Sequence, residues 1–384
     1  MIAIPQSSVR RELVAGERAQ RVAYLLLLGG KQHAAAWDRG KVFPRDALRA
    51  LGALGVMGVV VPERWGGAGL DTVSLAVALE EIAAGDGATS TIVSVQNSVV
   101  CGPLNAYGTD AQKARWLVPL ARGESLGCFC LTEPGAGSDA AAIATRAERR
   151  GDGYVLNGVK QFITSGANAD VAIVFAVTDR TAAKRGISAF VVDARTSGFR
   201  VARVEEKLGQ RASDTAQIAF EDCVVPADAR LGAEGEGYRI ALSNLESGRI
   251  GIAAQSIGMA RAAFEAARAY AAERHAFGKP IGEHQAVAFR LADMATRIEA
   301  ARLLVWRAAK RIDAGLTATT ESAMAKLTAS ETAMFCSWAA VQTLGGWGYS
   351  REFLAEKWMR DAKLEEIEEG TSDIQRLVIA RSLR

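Results

Sequence analysis

The apolar residues of this chain change period twice, and that double switch restricts the fold more than any other feature of the sequence. Before residue 125 they recur at spacings of three and four. Leu48, Leu51 and Leu54 follow Phe43-Pro44, where proline suits a first helical turn, and Leu75, Leu79 and Ile82 follow Asp71, an expected N-cap. From about Leu126 short Val/Ile/Phe/Thr-rich runs take over: Val171–Val177, Ile187–Val192, Phe199–Val204 and Thr215–Phe220. Tyr154-Val155-Leu156, Asn157-Gly158 and Val159–Thr164 read as a hairpin, since Asn-Gly supplies the positive φ angles of a type I′ turn. After Gly235-Glu236-Gly237 the helical period returns. Leu291, Met294, Ile298, Val305, Ala309 and Ile312 run up to Gly315, and Met324, Leu327, Met334, Trp338 and Val341 run up to Gly345-Gly346, both as expected core stripes.

A chain of 384 residues exceeds what one core usually organises. The expectation is therefore a multidomain α+β protein: an N-terminal helical domain over 1–125, a middle antiparallel β-barrel or sandwich over 126–232, and a C-terminal four-helix bundle over 233–384. The order is not the alternating βαβ of a dinucleotide fold, and no G-x-G-x-x-G occurs, which disfavours a nicotinamide enzyme. Gly66-Gly67-Ala68-Gly69 lacks the Lys-Ser/Thr of a phosphate loop and reads as a plain connection.

Charge excludes other classes. With 46 basic and 43 acidic residues the net charge is +3, too balanced for a nucleic-acid binder, and no Lys/Arg run suggests a membrane surface. Val22–Leu28 is far shorter than a bilayer span and lacks a signal cleavage site, so a cytoplasmic location is expected. Cys101, Cys128, Cys130, Cys223 and Cys336 are irregularly spaced; Cys128 and Cys130 would share a strand face as buried thiols, and with three histidines no metal site is expected.

Four segments carry chemistry. Leu131-Thr132-Glu133-Pro134-Gly135-Ala136-Gly137-Ser138-Asp139 ends a strand in a turn whose amides and hydroxyls suit an anion, though a plain turn is an alternative. Phe162-Ile163-Thr164-Ser165 puts an aromatic and a hydroxyl on one strand face, suited to a flat heterocycle. Arg274-His275-Ala276-Phe277-Gly278-Lys279-Pro280-Ile281, with Gln285, lies between two helices. Ile367-Glu368-Glu369-Gly370-Thr371-Ser372-Asp373 follows an acidic run that, alone, is a solvated face.

Together, in this order, the four segments resemble the acyl-CoA dehydrogenase family over essentially the whole chain, least so in the first 35 residues. The resemblance implies FAD as cofactor. Phe129, Leu131 and Thr132 would meet the isoalloxazine, Gly137 and Ser138 the pyrophosphate, Phe162 and Thr164 the flavin ring, and Ser138 the CoA as well. Arg274 would grip the pyrophosphate in a neighbouring subunit, Phe277 and Gln285 the adenosine half; Gln342, Gly345, Gly346, Thr371 and Asp373 would approach the same cofactor. A homodimer is then the minimum unit, and tetramers are typical of the family.

Glu369, directly before Gly370, would be the base that takes the α-proton of an acyl-CoA, with Gly370 beside the substrate, while the β-hydrogen leaves as hydride; the product is the trans-2-enoyl-CoA, and electrons pass to an electron-transferring flavoprotein. Some relatives carry the base immediately before the arginine of Leu245-Glu246-Ser247-Gly248-Arg249; here that place is Gly248, so Glu369 is the sole candidate. Glu246 would meet CoA, and Arg249 matches the site's arginine. Glu368 stands where an aromatic is usual, Phe162 where tryptophan is common, and Asp373 where Glu or Gln is frequent. The segment 246–253 looks most like short-chain and short/branched-chain members. An acyl-CoA oxidase-like enzyme and a non-catalytic acyl-CoA-binding protein are the alternatives, the former disfavoured by length.

Overall fold

The computed structural model describes residues 33–384, so Val22–Leu28 lies outside the described residues. We label the helices of nine residues or more α1 (Arg45–Ala53), α2 (Thr72–Gly85), α3 (Gly87–Val95), α4 (Gly237–Glu273), α5 (Gln285–Asp313), α6 (Thr319–Leu344), α7 (Ala355–Glu365) and α8 (Ser372–Ser382). The strands are β1 (Gly127–Cys130), β2 (Arg146–Arg150), β3 (Gly153–Thr164), β4 (Val171–Val177), β5 (Ile187–Asp193), β6 (Phe199–Val204), β7 (Thr215–Pro226), β8 (Arg230–Leu231), β9 (His275–Ala276) and β10 (Lys279–Pro280). Among the described residues no helix is long and apolar enough to cross a membrane.

The helix–sheet–helix order follows the two changes of period. Asp71 caps α2 by accepting from the Ser74 backbone N–H, as its position predicts. β6, β7, β3, β2, β4, β5 and β8 form one sheet in that order, with β1 also paired to β4. Its ladders are antiparallel except for two contacts: β1 lies parallel to β4, and Arg146 of β2 meets Val177 of β4 in parallel. A parallel neighbour requires a long crossover, and the whole β2–β3 hairpin lies between β1 and β4 in sequence. Cys128 and Cys130 are buried free thiols on β1, their sulfurs 3.7 Å apart.

The hairpin is not where Asn-Gly points. β3 runs unbroken through Asn157-Gly158, and the reversal falls at Gly151-Asp152, between β2 and β3. Asn157-Gly158 instead makes a bulge against β7, where the register shifts between Leu156 and Gly158. Asn157 Oδ1 accepts from the Asp222 backbone N–H at 2.9 Å. A Cβ on Gly158 would lie 2.5 Å from Thr145 Oγ1, so close approach of backbone, rather than a turn, explains the glycine.

In the C-terminal region α4, α5 and α6 pack on one another and the shorter α7 closes against α4 and α6. α5 buries Met294, Ile298, Val305 and Ala309 as its period predicts. α6 departs from expectation. Met324, Leu327, Met334 and Val341 are only half-buried and Trp338 is exposed, whereas Ala325, Ala329, Ala333, Cys336 and Ala340 enter the core. The same cluster contains Ala253, Ala260, Ala263 and Ala267 of α4. Alanine faces let two helix axes approach closely, which outweighs burying the larger side chains. Ala329→Leu is expected to cost about 1–3 kcal/mol by overpacking, read as a lower urea midpoint with an unchanged slope.

Candidate active site

α7 ends at Glu365, and the chain turns through two successive left-handed residues, Glu369 (φ +49°) and Gly370 (φ +97°), before α8 begins. Left-handed backbone is unfavourable for glutamate and persists only where the surroundings impose it. Three partners do so. Fully buried Gln375 donates from Nε2 to the carbonyls of Gly370 (2.8 Å) and Glu369 (3.3 Å), and Lys326 Nζ of α6 donates to the Gly370 carbonyl at 2.9 Å. Thr371 caps α8 by accepting from the Ile374 N–H.

This turn drives the Glu369 carboxylate against α4 at Gly248, where a Cβ would come within 2.0 Å of Oε2. Both carboxylate oxygens are withdrawn from solvent and, among the described residues, have no hydrogen-bond partner. Burial pushes the carboxyl up to about 8, the neighbouring Glu368 charge adds to the rise, and Lys326 and Arg249 oppose it. Arg249, next along α4, is itself buried, and its Nε has no partner among the described residues. Glu246, one turn back, accepts a hydrogen bond from the Thr319 hydroxyl.

Glu368 turns inward, accepting from Gln255 Nε2 of α4 at 3.1 Å, and burial pushes it up to about 7 against the pull of Lys326. Glu365, fully buried, accepts from Gln255 and from Gln210 Nε2 at 2.6 Å; burial and then the Glu368 charge hold it well above the usual carboxylate range. The acidic run read from sequence as a possible solvated face is thus largely internal.

A second group gathers where β1 leaves the sheet. Glu133 and Ala136 exchange backbone hydrogen bonds at 3.0 Å, closing the turn that carries Gly137 and Ser138 to the surface. Beneath it lies fully buried Lys160 of β3, whose Nζ donates to Glu133 Oε1 at 2.8 Å and to the Leu131 carbonyl at 3.0 Å. Burial raises the Glu133 carboxyl, but the Lys160 charge and hydrogen bonds together hold it below its ordinary value. The Thr132 carbonyl accepts from the Gln161 N–H at 2.9 Å, so Thr132 lies beside Phe162. Phe162 is 63% exposed at φ +58°, within the second register shift of β3, while Thr164 is half-buried; simple alternation therefore does not relate the two across the bulge. Phe129 packs beneath, on Phe175 at 4.8 Å between centroids.

A third group surrounds a cavity of about 560 Å³ lined by Arg274, Gly345, Gly346, Tyr270 and Trp347 among others. Gln285 and Gln342 are exposed but do not line it. Phe277, at the turn between β9 and β10, is 97% exposed at φ +52°. Asp373 is exposed in the first turn of α8, 3.5 Å from Arg376. Sequence reading missed Lys326, Gln375, Gln255 and Lys160. A lone lysine in the alanine-rich stretch of α6 is the one signal that pointed inward.

The structure thus offers three groups: a buried, strained carboxylate facing helix backbone, a sheet end that offers an exposed aromatic and open glycines, and a cavity with a permanent cation. The chain belongs to the acyl-CoA dehydrogenase family of oxidoreductases: the family's N-terminal, middle and C-terminal domain models match residues 29–124, 128–223 and 235–384. It is 49% identical over 350 residues to the mitochondrial short-chain specific acyl-CoA dehydrogenase of Rattus norvegicus, covering 91% of this chain and 85% of that one. Its fold matches butyryl-CoA dehydrogenase from Megasphaera elsdenii with a TM-score of 0.93 at 40% identity, over 96% and 98% of the two chains. It likewise matches a glutaryl-CoA dehydrogenase from Mycobacterium smegmatis in complex with FADH2, with a TM-score of 0.91 at 33% identity over 98% and 95%.

Two outcomes are expected. Lys160→Met leaves Glu133 buried without its cation and should cost about 3–5 kcal/mol, read by thermal or urea unfolding. For Glu369, a folded pKa above the unfolded one means that the native state binds more protons between pH 4.5 and about 8, so its contribution destabilises increasingly as pH rises through that window. Glu369→Gln should therefore gain stability over the parent as pH rises through it, and match the parent below it, in urea titrations across the range.

Proposed function

We propose that this chain oxidises a short or short branched acyl-CoA at its α,β carbons to the trans-2-enoyl-CoA, with Glu369 as the base and FAD as the cofactor. The observation that carries the reading is the Glu369 carboxylate, withdrawn from solvent and unpartnered among the described residues in its seat against Gly248. The α-proton of a thioester is weakly acidic, so a carboxylate whose proton affinity is raised by burial is the group that can take it. In this reading the Glu369 backbone N–H supports the thioester oxygen as negative charge develops there. Gly370 flanks the acyl group and Arg249 is the site's arginine, its charge beside Glu369, while Ser138 and Glu246 serve the CoA side.

The residues present fit a flavin dinucleotide. A Cβ on Gly137, Gly345 or Gly346 would meet no atom within 4 Å, leaving open backbone for close approach. Phe162 offers an exposed ring, Thr164 follows two residues on, Phe129, Leu131 and Thr132 lie on β1 and just beyond it, and Arg274 brings a permanent cation to the third group's cavity. Phe277, Gln285, Gln342, Thr371 and Asp373 complete the set that would hold it. The chemistry FAD supplies when bound is acceptance of the β-hydride and onward passage of the electrons, here to an electron-transferring flavoprotein. Exposed Phe277, Phe289, Leu303 and Trp338 support a homo-oligomer in which a second copy covers the bundle and Arg274 serves the neighbour's cofactor.

Anaerobic titration of the flavin-loaded protein with butyryl-CoA and isobutyryl-CoA tests the reading. The visible flavin absorbance should bleach, and Glu369→Gln should bind thioester but bleach about 10²–10⁴-fold more slowly. A Gln variant that bleaches as fast as the parent removes Glu369 from its role. Binding without any bleaching in the parent favours a non-catalytic binder, and rapid reoxidation in air favours an oxidase.

A further inference from the structure

α6 meets its neighbours through small residues, and Lys326 is its only charged residue that is buried, with no exposed surface at all. An ammonium carries three donors. Among the described residues Lys326 uses one of them, on the Gly370 carbonyl at 2.9 Å, and hydrogen-bonds none of the carboxyl groups around it. The same carbonyl accepts from Gln375 Nε2 at 2.8 Å, so both of its lone pairs are taken and the turn after Glu369 is held from two sides. A buried cation left with spare donors is costly, and such groups gather where a site needs their charge.

The charges around Lys326 show what that need is. They are Glu365 at the end of α7, Glu368 and Glu369 in the turn, and Arg249 of α4. Burial lowers the Lys326 pKa, and the Glu368, Glu365 and Glu369 charges oppose the fall. Burial and the Glu368 charge hold Glu365 well above the usual carboxylate range, and burial pushes Glu368 itself up to about 7, with Lys207 acting on it from the loop before β7. Neither supplies a full negative charge at neutral pH. The buried cation is therefore best compensated when Glu369 is ionised. Arg249, the second cation, faces Glu369 and Glu246. A direct ion pair from lysine to Glu369 would hold the carboxylate well below its ordinary value and spoil it as a base. Docked on a backbone carbonyl instead, the ammonium favours the ionised form while both carboxylate oxygens stay free of hydrogen bonds from the described residues.

We propose that Lys326 is a positioning residue for the proton transfer: its bond to the Gly370 carbonyl fixes the turn that seats Glu369 on Gly248, and its charge, held off the carboxylate, keeps that carboxylate ready to accept a proton. The inference rests on the acyl-CoA dehydrogenase reading and adds a residue that does not touch the substrate.

Rapid anaerobic mixing of the flavin-loaded enzyme with butyryl-CoA, from about pH 6 to 10, gives the bleaching rate and its pH profile. In the parent, kcat/KM should rise with pH as Glu369 ionises. Lys326→Met should move that limb up by about one pH unit or more, which is about a tenfold lower rate at any pH below it. Lys326→Gln keeps a donor without the charge, so its limb should move likewise while its high-pH rate stays nearer the parent's. Lys326→Arg keeps the charge and should leave the limb in place. A second arm needs no turnover: urea stability of each variant is compared with that of the same variant carrying Glu369→Gln. The pH window over which Glu369→Gln gains stability should extend upward in the Met and Gln backgrounds, because a carboxyl with a higher folded pKa keeps its proton to higher pH. A limb and a window that stay at the parent's position in both backgrounds overturn the proposal, whatever happens to flavin content or overall stability. Should Lys326→Met fail to fold, the Gln and Arg variants still decide. Failure of butyryl-CoA and isobutyryl-CoA to bleach the parent's flavin instead defeats the underlying reading, and the urea window still decides whether Lys326 governs Glu369.

Discussion

Glu365, Glu368 and Glu369 lie within five residues of one another and are drawn inside the protein, and the arrangement of the helices around them follows from that. Carboxylates taken out of water destabilise the fold unless they are protonated, hydrogen-bonded or faced by a cation. Each neighbouring element contributes part of the answer. α6 supplies Lys326, α4 supplies Gln255 and Ser256, and the loop before β7 reaches in with Gln210. Of the three, Glu369 is the one whose carboxylate receives no hydrogen bond from the described residues, and the strain of its left-handed backbone is borne by Gln375 and Lys326.

The loop that brings Gln210 inward is held with equal care. Gly209 passes so near α7 that a Cβ would stand 2.3 Å from the Arg360 carbonyl, and the Gln210 N–H donates to Asp361 at 2.5 Å. Asp361 is paired with buried Lys357, which also meets Asp86 at the start of α3. Arg360 and Arg211 share Asp38. Buried ion pairs of this kind add little net stability over an apolar alternative, but breaking one partner is costly, so they fix which segments meet. The sheet is thereby tied to the helix that leads into the Glu369 turn.

The architecture was legible because period survives without partners. Asp71, the stripe of α5 and the strands from 171 to 220 all follow local rules, and the structure places them where those rules put them. Asn157-Gly158 misled because a bulge and a turn ask for the same residues, and only Thr145, distant in sequence terms, decides between them. The α6 stripe misled because size suggested burial, whereas the opposing alanines of α4 favoured small residues. At the candidate site, the motif singled out Glu369, and the buried, strained turn that holds it is what the structure adds. Its inward-facing neighbours were not legible, since a run of acids looks the same whether it meets water or a buried amide.

The alanine contact between α4 and α6 has a consequence for how the site behaves as a whole. α4 bears the surface on which Glu369 rests, and α6 bears the lysine that anchors its turn. Long side chains between the two helices could rotate and let them slide; methyl groups have no rotamers to exchange. Errors in position between Glu369 and Lys326 therefore cannot be absorbed by repacking in between, and the pair behaves as one rigid jig. Adaptation to a different substrate is then left to the side chains that project from it.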